Sequence, residues 1–338
     1  MNYKSVGDMA QAFQLQRHNV QLKTHLSRLS EELTTGVQKD VGAAVHGDFT
    51  ALAGIDRSLT TLTSYSFATT EAAQLAETMQ TALETIQSQV SDVGPTLLSA
   101  ATSASPAMVS ATTADAKQKF ESVVAALNTN SAGRYVFSGT ATDTRPLASA
   151  DEILLDLGTA IAGATGTTDI MAAVDTWFDA PAGAGGFMDQ AYVGGTTPLS
   201  PFRIGDGEAA QLSVTAADPR IRESLKGLAV AALISDGALA GNDTERARLT
   251  RAAGERVIAA DGTLALVRAS VGTTEGQLAN AATRNSAEAS ALTLARNGLI
   301  AADPYDTASA LEAVQTQLET LYTLTARLSR LSLTDFLS

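Results

Sequence analysis

Residues 12–33 read AFQLQRHNVQLKTHLSRLSEEL, and the apolar positions in this stretch decide what the chain builds. Leu15, Leu22 and Leu29 recur at every seventh residue, and Leu26 and Leu33 occupy a second position of the same heptad. Residues three, four and seven apart share a helix face, so the five leucines form one stripe. A helix over residues 8–33 is about 40 Å long at ~1.5 Å per residue. Alone in water that stripe stays wet, and the helix needs a partner carrying a matching one.

The other end of the chain offers such a partner. Leu311, Val314, Leu318, Leu321 and Leu328 alternate in the same way, with Leu333 in the same segment. Asp303-Pro304 opens this segment as an N-cap followed by proline at the first helical position. Upstream, Val257, Leu264, Val271, Leu278, Leu292 and Leu299 share one heptad position, interrupted by Asn285. Gly298 reads as the end of that helix, and Gly272 and Gly276 inside it predict a local distortion at about 1 kcal/mol each. Each leucine buried at a seam contributes roughly 1.5–3 kcal/mol, so pairing of the two ends, with each other or with neighbouring copies, decides whether they fold.

Working inward from the first stretch, Gly36, Gly42 and Gly47 break the periodicity and predict a loop. Leu52, Ile55, Leu59 and Leu62 resume it, and Leu75, Met79, Ala82, Ile86, Val90 and Val93 continue until Gly94-Pro95, which predicts a helix stop. Ser105-Pro106 predicts a new N-terminus ahead of Val109, Ala116, Phe120, Val123 and Leu127. From about 141 to 220 glycine and proline become frequent, and strands and turns are expected. Phe202–Ile204 and Ala210–Val214 flank Gly205-Asp206-Gly207, a hairpin signal.

The expected fold is therefore mainly α: an elongated, coiled-coil-like bundle of long helices from both chain ends, with a small strand-containing insert. The expected divisions are 1–47, the amino-terminal helix of a terminal assembly domain; 48–140, the first half of a rod-like helical domain; 141–230, the insert; 231–298, the second half of the rod; and 299–338, the carboxyl-terminal assembly helix. The residues expected at assembly contacts are Leu15, Leu22, Leu26, Leu29, Leu33, Leu311, Val314, Leu318, Leu321, Leu328 and Leu333.

Composition narrows the function. Of the 338 residues 45% are hydrophobic but only 5% aromatic, with Trp177 the single tryptophan, which favours thin helical packing over one large core. A formal net charge of −13 argues against nucleic acid and against anionic membranes, both of which need clustered lysine and arginine. The absence of cysteine removes disulfides, thiol nucleophiles and cysteine zinc sites. Three histidines, His18, His25 and His46, are too few to converge on a metal unaided. The glycine-framed serine elbow, the phosphate-cradling lysine loop and the paired-histidine zinc helix are missing from the sequence. Asp206 and Glu208 read as a polar turn, and Asn242-Asp243-Thr244 as a chance sequon. No enzyme, cofactor or metal is expected. The start carries no basic region followed by an apolar run, so export, if it occurs, is expected to use a route without a cleaved signal.

Three segments carry a family resemblance. Leu29–Gly36 (LSEELTTG) is similar to the flagellin-superfamily motif in which an amphipathic helix runs into a glycine. Gly133–Thr140 (GRYVFSGT), followed by Asp143 and Pro146, resembles the passage from the amino-terminal helices to the insert in the flagellin-like hook-filament junction (hook-associated) proteins. Ala302–Tyr305, Thr307-Ala308 and Leu331–Leu337 resemble the carboxyl-terminal signature of the same family. The resemblance spans roughly residues 1–140 and 235–338. It implies a structural subunit of the bacterial flagellum, outside the cell, exported by the type III apparatus and needed for filament attachment and motility. The implied partners are other copies of the chain, a neighbouring hook-associated junction protein, flagellin, and an export chaperone; the implied alternative is filament flagellin itself.

Overall fold

The computed structural model describes residues 5–103 and 105–337, with side chains described from residue 10 to 327 apart from those of 12 and 104. Its elements are α1 (Ser5–Thr35), α2 (Val41–Ala44), α3 (Thr50–Thr102), α4 (Pro106–Leu127), β1 (Asn130–Ser131), β2 (Arg134–Tyr135), α5 (Ala150–Ala160), α6 (Thr167–Asp179), α7 (Phe187–Gln190), β3 (Phe202–Gly205), β4 (Glu208–Ala210), α8 (Pro219–Ser235), α9 (Asp243–Leu299) and α10 (Pro304–Leu337). The described chain is mainly helical, with two small antiparallel strand pairs, β1–β2 and β3–β4. It divides into two compact units, residues 1–62 with 287–338, and residues 63–286.

In the unit of residues 63–286, α3, α4, α8 and α9 bury a continuous apolar core that includes Met79, Leu83, Ile86, Phe120, Leu228, Val257 and Leu264. The heptad position read from Val257 to Leu278 faces inward throughout. Its interruption at Asn285 has a cause: the buried amide donates to the Ile204 carbonyl at 2.8 Å, tying α9 to the β3–β4 hairpin where leucine would leave that carbonyl dry and unpaired. Gly272 and Gly276 cause no break, and α9 runs helical from Asp243 to Leu299.

Gly94-Pro95 does not stop α3, which continues to Thr102 with Pro95 inside it. Val93, Leu97 and Ala100 stay buried on both sides of the proline. Gly94 and Gly254 lie back to back, since a Cβ on Gly254 would meet the Gly94 carbonyl at 3.0 Å and a Cβ on Gly94 would meet Ile258 at 2.6 Å. Interhelix packing thus outweighs the ~3 kcal/mol that an interior proline costs. Ser105 caps α4 as the sequence suggests, its hydroxyl accepting from the Met108 N–H at 3.4 Å.

The middle segment is more helical than expected. Ile153, Leu154 and Leu157 on α5 and Ile170, Val174, Trp177 and Phe178 on α6 are buried at helical spacing. Trp177, Phe178 and Phe187 form a cluster with ring centroids 4.9–6.0 Å apart, concentrating the scarce aromatics in one place. The hairpin turn falls at Asp206-Gly207, yet β4 covers only Glu208–Ala210. Leu212 and Val214 are buried beyond the strand without joining the ladder.

Candidate assembly surface

The unit formed by residues 1–62 and 287–338 holds most of the leucines singled out from the sequence. Leu22 and Leu29 of α1 pack with Val314, Leu318 and Leu321 of α10 in a buried cluster, flanked by the partly buried Leu15, Leu26, Ala310 and Leu311. The stripes of the two chain ends are thus satisfied against each other within one chain. Leu33 is set apart from the cluster at 40% exposure. Leu328 and Leu333 lie outside the residues whose side chains are described.

Polar groups fix how α1 and α10 meet. The Tyr322 hydroxyl bonds to Asn19 and Lys23, and these bonds, Asn19 first, hold the phenol below its ordinary pKa. At the end of α1, Gly36 turns the chain at φ 71°, and residues 36–38 pair with 300–302: Gln38 N–H donates to the Ile300 carbonyl at 2.8 Å and Ala302 N–H to the Gly36 carbonyl at 2.9 Å. Glu32, buried at 5% exposure, receives the Lys39 N–H at 2.9 Å and pairs with Arg28 at 3.4 Å. Asp303 caps α10 through the Tyr305 and Asp306 N–H groups at 2.8 and 3.1 Å. The LSEELTTG and ADPY segments therefore meet, and their residue types follow from this clasp: a carboxylate to accept, a glycine to turn, and a cap with proline to restart the helix.

With the seam closed, other apolar side chains face outward. Phe13 and Val20, seven residues apart on α1, are 62% and 59% exposed, and Tyr322 and Leu324 on α10 are 50% and 48% exposed. Sequence reading missed this second face because a heptad stripe draws attention to one side of a helix only. The Phe13–Val20 spacing was the available signal.

The GRYVFSGT segment serves the other unit. Gly133, at φ 82°, closes the β1–β2 turn and donates to Asn130 Oδ1 at 2.9 Å. Phe137 and Ser138 are fully buried. Gly195 N–H donates to Ser138, Thr140 N–H to Thr197, and Ala216 N–H to Phe137, at 2.7–3.0 Å. Among the described residues no group of three or more histidine, aspartate or glutamate side chains is placed to hold a metal. No described helix is long and apolar enough to cross a membrane.

Two helices from opposite chain ends are thus sealed along a leucine seam and clasped where they leave it. Residues 257–337 match the family model of the bacterial flagellin C-terminal helical region. Those residues, most of α9 and all of α10, are thus flagellin-like. Among curated proteins none matches it. Among solved structures it is similar to a candidate flagellar hook-associated protein from Vibrio parahaemolyticus, at 14% identity and a TM-score of 0.49, over 73% of this chain and 95% of that one.

Proposed function

We propose that this chain is a structural subunit of the bacterial flagellum that joins the hook to the filament. The observation that carries the proposal is the α1–α10 seam in a chain whose carboxyl-terminal arm matches a flagellin helical region. In this reading the seam leucines, Leu15, Leu22, Leu26, Leu29, Leu311, Val314, Leu318 and Leu321, hold the arms together as one two-helix layer. Leu33, Phe13, Val20, Tyr322 and Leu324 then meet neighbouring copies, an adjacent hook-associated protein on one side and flagellin on the other. The chain works by packing, outside the cell, after delivery through the flagellar type III apparatus with its chaperone.

Deleting the gene tests this. The mutant is expected to keep its hooks, release filaments into the medium and lose motility, and mass spectrometry of hook-basal bodies with attached filaments from the parent should find the chain in few copies. Filaments that stay attached in the mutant overturn the junction role, and the chain's recovery as the bulk of sheared filaments assigns it to the filament itself.

A further inference from the structure

The helices α1 and α10 carry opposite charge. Between residues 10 and 30, α1 holds Arg17, Lys23 and Arg28, two histidines and no carboxylate; between 304 and 326, α10 holds Asp306, Glu312 and Glu319 and neither lysine nor arginine. Yet among the described residues no ion pair joins the two helices. Arg28 pairs with Glu32 of its own helix at 3.4 Å, and Lys23 bonds to the Tyr322 hydroxyl. Arg17, Glu312 and Glu319 are exposed, and their charged groups have no ion pair or side-chain hydrogen bond among the described residues.

Helix geometry explains why these charges stay apart. At 3.6 residues per turn, Phe13, Arg17 and Val20 form one ridge of α1, about half a turn away from the seam residues Leu22 and Leu29. Tyr305, Glu312 and Glu319 recur at every seventh residue and form one ridge of α10, about half a turn away from Val314 and Leu318. Tyr305 is the most open of them at 80% exposure. The two ridges therefore look away from each other across the seam, and within one chain they cannot meet.

We propose that they meet between copies: the α1 ridge of one chain packs on the α10 ridge of the next, with Arg17 seated between Glu312 and Glu319 and flanked by Phe13 and Val20. The charges favour a like chain as occupant. A cationic ridge on a protein of net charge −13 calls for an acidic partner, and the chain supplies an acidic ridge on the opposite side of the same helix pair. Glu312 and Glu319 stand about 10 Å apart along α10, as do Phe13 and Val20 on either side of Arg17, so the two ridges match in length. Exposed ion pairs add little affinity, which falls to Phe13, Val20 and Tyr305; the charges select the partner, because α1 against α1 or α10 against α10 would oppose like charges. Using two different surfaces of one chain, the contact is heterologous and propagates around a ring or along a helix. The inference rests on the proposed self-assembly and names the faces that carry it.

Charge reversal in full-length chains tests this. Arg17→Glu in one chain, and Glu312→Lys with Glu319→Lys in another, are each expected to weaken self-association at least tenfold in sedimentation. Mixed one to one, the two variants are expected to recover most of the parent's association, because each reversed ridge then meets its complement on the other chain, a rescue that misfolding would not give. Raising the salt concentration should weaken the parent and the mixture alike. Variants that each associate as the parent does overturn this contact and leave self-assembly standing. Impairment that mixing fails to relieve overturns the pairing of Arg17 with the glutamates, and impairment of only one variant overturns the α1-to-α10 geometry. A parent chain that sediments as a monomer at every concentration overturns both the contact and the assembly reading.

Discussion

At Gly139 one missing methyl group holds a fold boundary together. Its φ is 60°, and a Cβ there would meet the Thr197 and Gly195 carbonyl oxygens at 2.4 and 2.7 Å. Gly133 has φ 82° but open space around it. Gly139→Ala is therefore expected to destabilise its unit by about 2–4 kcal/mol and Gly133→Ala by only about 1 kcal/mol, measured by denaturant unfolding followed at Trp177. Equal midpoint shifts would contradict this assignment. Asp189 makes a different point. Its carboxylate takes N–H groups from Gly183 and Gly185 at 2.7–2.9 Å, and these bonds hold its pKa below the ordinary 3.8. A depressed folded-state pKa means that the stabilisation is complete above the ordinary value and fades as pH falls through the depressed one. The 181–186 loop is expected to loosen only at more acid pH than an ordinary aspartate titrates, seen as a change in Trp177 fluorescence because Trp177 Nε1 donates to Gln190 beside it at 2.9 Å. Asp189→Asn should abolish that acid step; its persistence would place the titration elsewhere.

At the scale of elements, the α1–α10 seam is thin. Five side chains form its buried cluster, each still 6–8% exposed, so every one is a large fraction of what holds the pair. Leu318→Ala is expected to cost about 2 kcal/mol, the low end for a leucine truncation, since water reaches the site. Leu22→Asp or Leu318→Asp places a charge in the seam at a cost of several kcal/mol and is expected to open α1 from α10, raising hydrogen exchange in both while α3, α4 and α8 keep their protection. The same variants should fail to enter the flagellum. Normal incorporation would show that the seam is not needed for assembly. This element was readable because heptad spacing encodes a face directly. Pro95 misled for the converse reason: a local rule for helix stops cannot register the Gly94–Gly254 approach between helices 160 residues apart in sequence. The helices α5 and α6 were hidden in the same way, their apolar positions diluted by glycine, alanine and threonine until tertiary burial selects them.

At the scale of the whole molecule, the two compact units differ in how much they bury. The unit of residues 63–286 contains the large continuous core, and the unit carrying the chain ends relies on the small seam. Limited proteolysis of the free chain is expected to remove α1 and α10 first and leave a resistant fragment within about residues 63–286 joined by its uncut helices; simultaneous loss of both units would mean that they fold as one. The sequence by itself determined the mainly helical class, the two leucine stripes, the caps at Ser105 and Asp303 and the flagellin-like carboxyl-terminal region, because periodicity, capping and short motifs are local and survive in one dimension. Only the tertiary structure decided that the stripes close on each other, that Asn285 serves a hairpin carbonyl, that α3 runs through its proline, and which faces remain open to neighbours. Those outcomes depend on which distant surfaces meet, and burial, the term that selects among them, is a property of the packed chain.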